Sequence, residues 1–266
     1  MALITETLLR ARLARGIPNP LPIAEDDKLT PAATDFLKDR GIGWQRISAG
    51  PSFQSSDAGE ECGDGLTLPV GVSARHAHLS PEHVEALFGP GYQLEPLREL
   101  TQKGQYAAKE TVTLIGPKGI LPNVRILGPA RGVSQVEISR TDGYALGIQP
   151  PVRLSGDIRG TPGITIAGKH GAVVLREGLI VAKNHVHMSP DDAAIFNVAA
   201  GDSLIVRTTG ERPVLFADVT VRISPAYTLD LHLDTDEANA ASLKTGDVMR
   251  LVGRNGAWQD AARGPA

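Results

Sequence analysis

A mainly β chain, built as small barrels rather than as an open α/β sheet, is predicted by three features of the sequence. Short runs rich in Val, Ile, Leu and Thr recur over residues 66–253, each bounded by Gly, Pro or Asp. Gly (29) and Pro (19) are plentiful while aromatics make up only 4%, which suits tight turns between strands better than a helix bundle. One segment also occurs twice in the same local frame. It reads Val72-Ser73-Ala74-Arg75-His76-Ala77-His78-Leu79-Ser80-Pro81, and later Val181-Ala182-Lys183-Asn184-His185-Val186-His187-Met188-Ser189-Pro190.

The elements follow in order. Residues 3–15 read as a short amphipathic helix, with Ile4, Leu8, Leu9, Ala11 and Leu13 opposite Arg10, Arg12 and Arg15, stopped by Gly16 and Pro18. A second helix has Thr30 as N-cap, Pro31 at its first position, Phe36 and Leu37 on its apolar side and Gly41 after its last turn. Neither helix is long enough to stand alone, since isolated helices below about 12–15 residues are marginal, so each needs a partner surface. Residues 48–65 are polar and rich in Gly and Ser, and read as a flexible linker. Residues 1–47 are therefore an appendage to a body that begins near Leu66.

Strands in the body are expected at Leu68–Val72, Thr111–Ile115, Val124–Leu127, Val133–Ile138, Ile164–Ala167, Val173–Leu175, Leu179–Ala182, Leu204–Thr208, Val219–Ile223, Thr228–Leu233 and Val248–Val252. A short helix follows each HxH, with Ser80 and Ser189 as N-caps and Pro81 and Pro190 at the first helical position. Asp192 completes a capping box with Ser189.

The composition removes several classes of function. At 266 residues there is room for two small domains, and a net charge of -3 gives no reason to expect nucleic acid or an anionic membrane as partner. No apolar run approaches the roughly 18–20 residues of a membrane span, and the N-terminus lacks a secretory pattern. The single cysteine, Cys62, allows no intramolecular disulfide and fits a reduced, cytoplasmic setting. Its Gly-rich polar context favours a linker cysteine over a catalytic thiol.

Histidine carries the chemistry. The chain holds 7, and four of them are His76, His78, His185 and His187. Residues i and i+2 of a strand project to one face, so each pair can converge on a single ion. The repeat extends downstream. Val124-Arg125-Ile126-Leu127-Gly128-Pro129-Ala130-Arg131 matches Val221-Arg222-Ile223-Ser224-Pro225-Ala226-Tyr227 with small gaps, and Gln135–Asp142 matches Asp230–Asp236. Glu137 and His232 then occupy equivalent positions and supply a third ligand to each pair. Three protein ligands leave one coordination position open, the mark of a catalytic rather than a structural zinc. Against this stands the ordinary reading of an HxH as exposed or hydrogen-bonded histidines. The two matched frames favour metal. His83 and His170 fall outside the pattern and read as an exposed residue of a first helical turn and a turn residue. Arg131, just before the Glu137 strand, suits bidentate contact with phosphate or carboxylate.

The segments SARHAHLS, GQYAAKETVTLIGPKG, VRILGPARGVSQVEISRTD, GITIAGKHGAV and AKNHVHMSP together resemble the phosphate propanoyltransferases of the propanediol-utilisation type, over residues 66–253. The resemblance implies a zinc-dependent phosphotransacylase of two small β-barrels with the active site between them. It implies one zinc on His76, His78 and Glu137, a second on His185, His187 and His232, and phosphate on Arg131. Coenzyme A would run past Arg98, Gln105, Arg125, Leu127 and Asn239. It also implies interleaved halves, with 76–182 as one barrel, 66–75 and 183–253 as the other, and 254–266 as a tail.

In residues 1–47, ITETLLRARLARG followed by LTPAATDFLKDRGI resembles more faintly the N-terminal segment of ethanolamine-utilisation cobalamin adenosyltransferases. This implies a bacterial microcompartment as location and shell or cargo proteins as partners. Packing on the body or on a neighbouring subunit of a homo-oligomer is an equal alternative.

The reaction so implied converts a short-chain acyl-CoA, propanoyl-CoA or acetyl-CoA, and phosphate into acyl phosphate and coenzyme A. Two other readings stay open: a zinc-dependent thioester hydrolase using metal-bound hydroxide, and a non-catalytic microcompartment scaffold in which zinc serves structure.

Overall fold

The computed structural model describes residues 3–6, 9, 17, 19–24, 27–47 and 66–258. The chain divides into two compact units, Met1–Asp64 and Gly65–Ala266.

In the first unit, Leu3–Ile4 pairs in parallel with Lys28–Leu29, and Leu21–Ala24 with Trp44–Ile47. The helix Pro31–Asp39 is capped by Thr30, whose Oγ1 accepts from the Ala33 N–H, and Gly41 follows it at φ +64°. Its buried face, Ala33, Phe36 and Leu37, packs with Ile4, Leu9, Leu21 and Ile23. The helix expected over 3–15 is thus corrected at its start. Leu3–Ile4 is a strand because Lys28–Leu29 supplies a partner, and the Thr30 N–H donates to the Ile4 carbonyl. The rest of that segment, apart from Thr5, Glu6 and Leu9, lies outside the described residues. So do the linker over 48–65 with Cys62, and residues 259–266.

The second unit is mainly β. Six strands close into a barrel in the order Ser203–Arg207, Leu215–Ile223, His185–Met188, Asp230–Asp234, Thr67–Ser73 and Val248–Arg254, the last pairing back to the first. Ala257–Trp258 extends this sheet, so the expected tail begins inside it. The other sheet runs Val152–Arg153, Leu179–Ala182, Gln135–Glu137, His76–His78, Ile120–Gly128, Tyr106–Ile115, Ile164–Ala167 and Ala172–Leu175. Pro96–Glu99 pairs beside Tyr106–Ile115. Among the described residues this sheet does not close. Each sheet has its own core. One gathers Ala77, Leu114, Ile126, Val136, Ile166 and Leu179, the other Leu68, Val186, Met188, Leu204, Val219 and Leu231. Burying one such aliphatic side chain fully stabilises the fold by roughly 1.5–3 kcal/mol. No helix of the described residues is long and apolar enough to cross a membrane.

The duplication appears in the strand registers. His76 pairs opposite Glu137 and His185 opposite His232, both antiparallel. The flanking strands are exchanged between the sheets. Thr67–Ser73, which leads into the first HxH, pairs with Asp230–Asp234. Leu179–Ala182, which leads into the second, pairs with Gln135–Glu137. The chain therefore crosses from one sheet to the other at Ala74-Arg75 and again at Lys183-Asn184.

One part of the expected alignment is corrected. His76 pairs with Arg125 and His185 with Thr220, so Thr220 holds the place of Arg125, and Arg222 that of Leu127. The matched Val-Arg-Ile letters misled because backbone pairing, not residue identity, sets the register.

Candidate active site

Each HxH is the middle of a sheet, with a parallel strand on one side and an antiparallel strand on the other. Alternation puts Ala77 and Val186, both 0% exposed, into the cores. It turns His76 and His78, and His185 and His187, to the opposite face. Both strands then stop at a helix capped by Ser80 or Ser189.

The antiparallel partners bring the third residue of each set. Ligand atoms of His76, His78 and Glu137 lie within 4.8 Å of one another, as do those of His185, His187 and His232. Two of the rings are held in one tautomer. His76 Nδ1 donates to the Ala74 carbonyl at 2.9 Å, and His185 Nδ1 to the Lys183 carbonyl at 2.8 Å. A carbonyl can only accept, so Nδ1 carries the proton and Nε2 keeps its lone pair. His232 Nδ1 is 3.3 Å from Ser73 Oγ. Glu137 Oε1 accepts from Gln135 Nε2 at 2.6 Å, and its Oε2 lies 3.5 Å from His76 Nε2.

Three buried ring nitrogens of the second triad make no hydrogen bond: both of His187, and His232 Nε2, which lies 3.6 Å from Asp230 Oδ2. Buried polar atoms are normally satisfied. A cation would take up one nitrogen of each of these two rings, and at His232 the other nitrogen is oriented by Ser73. The donor sets, two imidazoles with a carboxylate at one triad and three imidazoles at the other, suit zinc and related divalent ions.

Burial is the main reason that His78, His185, His187 and His232 stay neutral. Burial, with the charges of His76 and Arg131 beside it, pushes His78 down to about 3. Burial and His232 bring His185 to about 4, and burial brings His232 to about 4. Burial with His185 and His232 lowers His187 further. Burial pushes the Glu137 carboxyl up, but His76, His78, a hydrogen bond with Ser155 and His185 together hold it below the usual carboxylate range. Neutral imidazoles and an ionised carboxylate are the forms that bind metal.

Both triads line one cleft of about 890 Å³, within the range typical of small-molecule sites. Arg98, Gln105, Arg125, Leu127 and Arg131 line it too. Asn239 does not; it sits exposed on the helix Thr235–Ala240. Arg131 Nη2 lies 3.2 Å from His78 Nε2. Arg125 is partly committed, donating to the Ala108 and Lys109 carbonyls at 2.9 and 2.8 Å.

Sequence reasoning did not single out Gln102, Gln135, Ser155 or Arg222 from the lining of this cleft. Tyr227 lies with its ring centroid 4.2 Å from that of His187, tilted by 32°. Gln102, 5% exposed, bonds to both the carbonyl and the N–H of Thr228, tying the first sheet's loop to the second half. Gln135 had a readable signal, since by the repeat it stands where Asp230 stands. His83 is half-buried rather than exposed, because its Nδ1 bonds Ser134 Oγ at 2.6 Å. His170 is an exposed turn residue.

Comparison with known proteins places this geometry in a family. The family model for phosphate propanoyltransferase matches residues 69–244. A phosphate propanoyltransferase of Thermotoga maritima is 55% identical over 184 residues, covering 69% of this chain and 88% of that protein. One of Listeria monocytogenes is 54% identical over 179 residues, covering 67% and 84%. One of Salmonella typhimurium is 52% identical over 188 residues, covering 70% and 89%. The matched stretch contains both histidine strands, both third positions and Arg131, and on that extent and identity the chain belongs to the phosphate propanoyltransferase family.

Proposed function

We propose that this chain is a phosphotransacylase that interconverts a short-chain acyl-CoA, propanoyl-CoA or acetyl-CoA, and phosphate with acyl phosphate and coenzyme A. One zinc would sit on His76, His78 and Glu137, and a second on His185, His187 and His232. The observation that carries this is the pair of convergent triads, with buried ring nitrogens of His187 and His232 left without a hydrogen bond in the second. Bound zinc would supply positive charge that stabilises a leaving thiolate and the oxyanion of the tetrahedral transition state.

The chain's own residues do the rest. The Arg131 guanidinium, at the edge of the His78 ring, binds phosphate through paired N–H donors and orients an oxygen toward the thioester carbonyl. Attack forms the C–O bond and breaks the C–S bond, releasing coenzyme A, with no covalent acyl-enzyme. Arg98, Gln105, Arg125 and Leu127, along the same cleft, line the path of the coenzyme A tail. Asn239, outside the lining, would contact only the far end of that tail. The two halves we assign as 76–182 and as 66–75 with 183–253, on the strand exchange described above.

Residues 1–47 lie outside the family match. We assign them to docking, onto microcompartment shell or cargo proteins or onto a neighbouring subunit.

The test is thiol release from propanoyl-CoA and acetyl-CoA, with and without phosphate, before and after chelation. Release that needs both phosphate and metal is expected. Release without phosphate would make the protein a thioester hydrolase. Metal that resists chelation, with no coenzyme A binding, would make it a scaffold.

A further inference from the structure

The crossings at Ala74-Arg75 and Lys183-Asn184 carry a paired device. At each, the first residue's carbonyl fixes the Nδ1 of the first histidine, Ala74 for His76 and Lys183 for His185. The second residue's side chain is fastened to a helix. Arg75 grips Asp142 through two contacts, Nε to Oδ2 at 2.9 Å and Nη2 to Oδ1 at 2.6 Å. Asn184 Nδ2 donates to Glu237 Oε1 at 2.9 Å.

Asp142 and Glu237 are equivalent positions. Each is the third residue of the helix that follows the third member of its triad, Arg140–Leu146 after Glu137 and Thr235–Ala240 after His232. Each closes a capping box, with Ser139 and with Asp234. The two helix starts also touch, since the Thr141 N–H donates to Asp236 Oδ2 at 2.8 Å.

We infer that Arg75–Asp142 and Asn184–Glu237 are positioning pairs, each of which holds its crossing in place and thereby sets the aim of one histidine and the metal affinity of one triad. The chain of contact is short. The acid on the helix fixes the crossing side chain, the crossing peptide fixes a carbonyl, and that carbonyl fixes the ring whose Nε2 faces the ion. Without the pair the crossing is free to turn, and the carbonyl can leave Nδ1. The two pairs differ in kind, one a bidentate ion pair and the other an amide on a carboxyl. Each triad is thus set by its own pair. Partners one step outside a metal ligand are typically worth about 10–100-fold in metal affinity.

This inference rests on the two-metal reading, and the test separates them. Zinc affinity of the full chain is measured by chelator competition, first on the parent protein. Single-site backgrounds follow, with E137Q leaving the His185 triad and H232A leaving the His76 triad. Adding N184A to the E137Q background is expected to weaken zinc about 10–100-fold, and adding R75A to the H232A background likewise. Each exchange is expected to leave the other background at its own affinity. E237Q, whose amide oxygen can still accept from Asn184 while the bond from the Asp234 N–H is lost, and R75K, which keeps the charge pair, are expected to stay within about tenfold. The visible spectrum of the cobalt-substituted protein is expected to shift in N184A and R75A and to return in the conservative variants. Unchanged affinity in both N184A and R75A would overturn the inference, as would an equal loss at both triads from either one. A parent chain that binds no zinc would overturn the two-metal reading itself, before any variant is made.

Discussion

Replacing Glu137 by Gln separates metal binding from folding. Glu137 is 7% exposed, and its two oxygens face different partners. Oε1 accepts from Gln135 Nε2 at 2.6 Å, while Oε2 is 3.5 Å from His76 Nε2. A Gln side chain has one accepting and one donating end. Its oxygen must take the Oε1 place, because an amide nitrogen there would face the Gln135 amide nitrogen. Its NH2 then takes the Oε2 place and donates to the His76 Nε2 lone pair. The metal-free variant so gains one hydrogen bond, about 0.5–1.5 kcal/mol net, which for a protein of this size is roughly 1–6 °C in Tm. The same NH2 covers the atom that the ion needs, and the first triad loses its carboxylate. Since partners outside the ligand shell are already worth about 10–100-fold, losing a ligand should cost more than about 100-fold in affinity. Metal content after dialysis, melting of the stripped protein and phosphate-dependent thiol release check this together. One ion in place of two is expected, with stripped E137Q melting no lower than the stripped parent and activity down by about 100-fold or more. E137Q that keeps two ions and parental turnover would refute the reasoning.

Other outcomes follow from the same geometry. Arg131→Ala removes the charge-assisted donors to phosphate, worth about 1.5–3 kcal/mol, so KM for phosphate should rise about 10–150-fold. KM for acyl-CoA should stay near the parent value, and an equal rise in both would contradict the assignment. The metal-free protein should lose stability as pH falls from about 6.5 toward 4, because His185 and His232 are held at about 4 when folded. The unfolded chain binds more protons in that window, so each ring costs on the order of 3 kcal/mol once pH is below the folded value. A urea midpoint unchanged between pH 7.5 and 5 would refute it. Gln102→Ala breaks two hydrogen bonds to Thr228 and should cost about 2 kcal/mol, or roughly 4–8 °C in Tm. A melting curve superposable on the parent's would show that this bridge does not hold the two halves together.

Much of the site was legible because it is written twice. The alternation in His76-Ala77-His78 and His185-Val186-His187 states which side chains share a face, and two copies in one frame state that the face matters. Glu137 and His232 were found by extending that repeat, and the registers opposite His76 and His185 agree with it. What failed to show was set by pairing at a distance. Arg125 and Arg222 looked equivalent by their neighbours, yet the strand beside His185 puts Thr220, not Arg222, in the place of Arg125. The exchange of Thr67–Ser73 and Leu179–Ala182 between sheets came from family resemblance and not from any local pattern. Leu3–Ile4 was read as helix because its strand partner, Lys28–Leu29, lies too far along the chain to show. The helices Arg140–Leu146 and Thr235–Ala240 were missed although Ser139 with Asp142 and Asp234 with Glu237 announce capping boxes. Asp234 is a weaker cue because it closes a strand as well. Tyr227 against His187 and Arg131 against His78 show where the two halves differ in chemistry: the second triad has an aromatic ring beside it where the first has the Arg131 guanidinium.

The central claim is that both triads hold an ion in the working protein. Anomalous scattering at the zinc edge from crystals of the zinc-loaded chain tests it most directly. Two peaks are predicted, one among His76, His78 and Glu137 and one among His185, His187 and His232. A map that lacks a peak at one or both triads, from protein that still releases coenzyme A in the presence of phosphate, would contradict it.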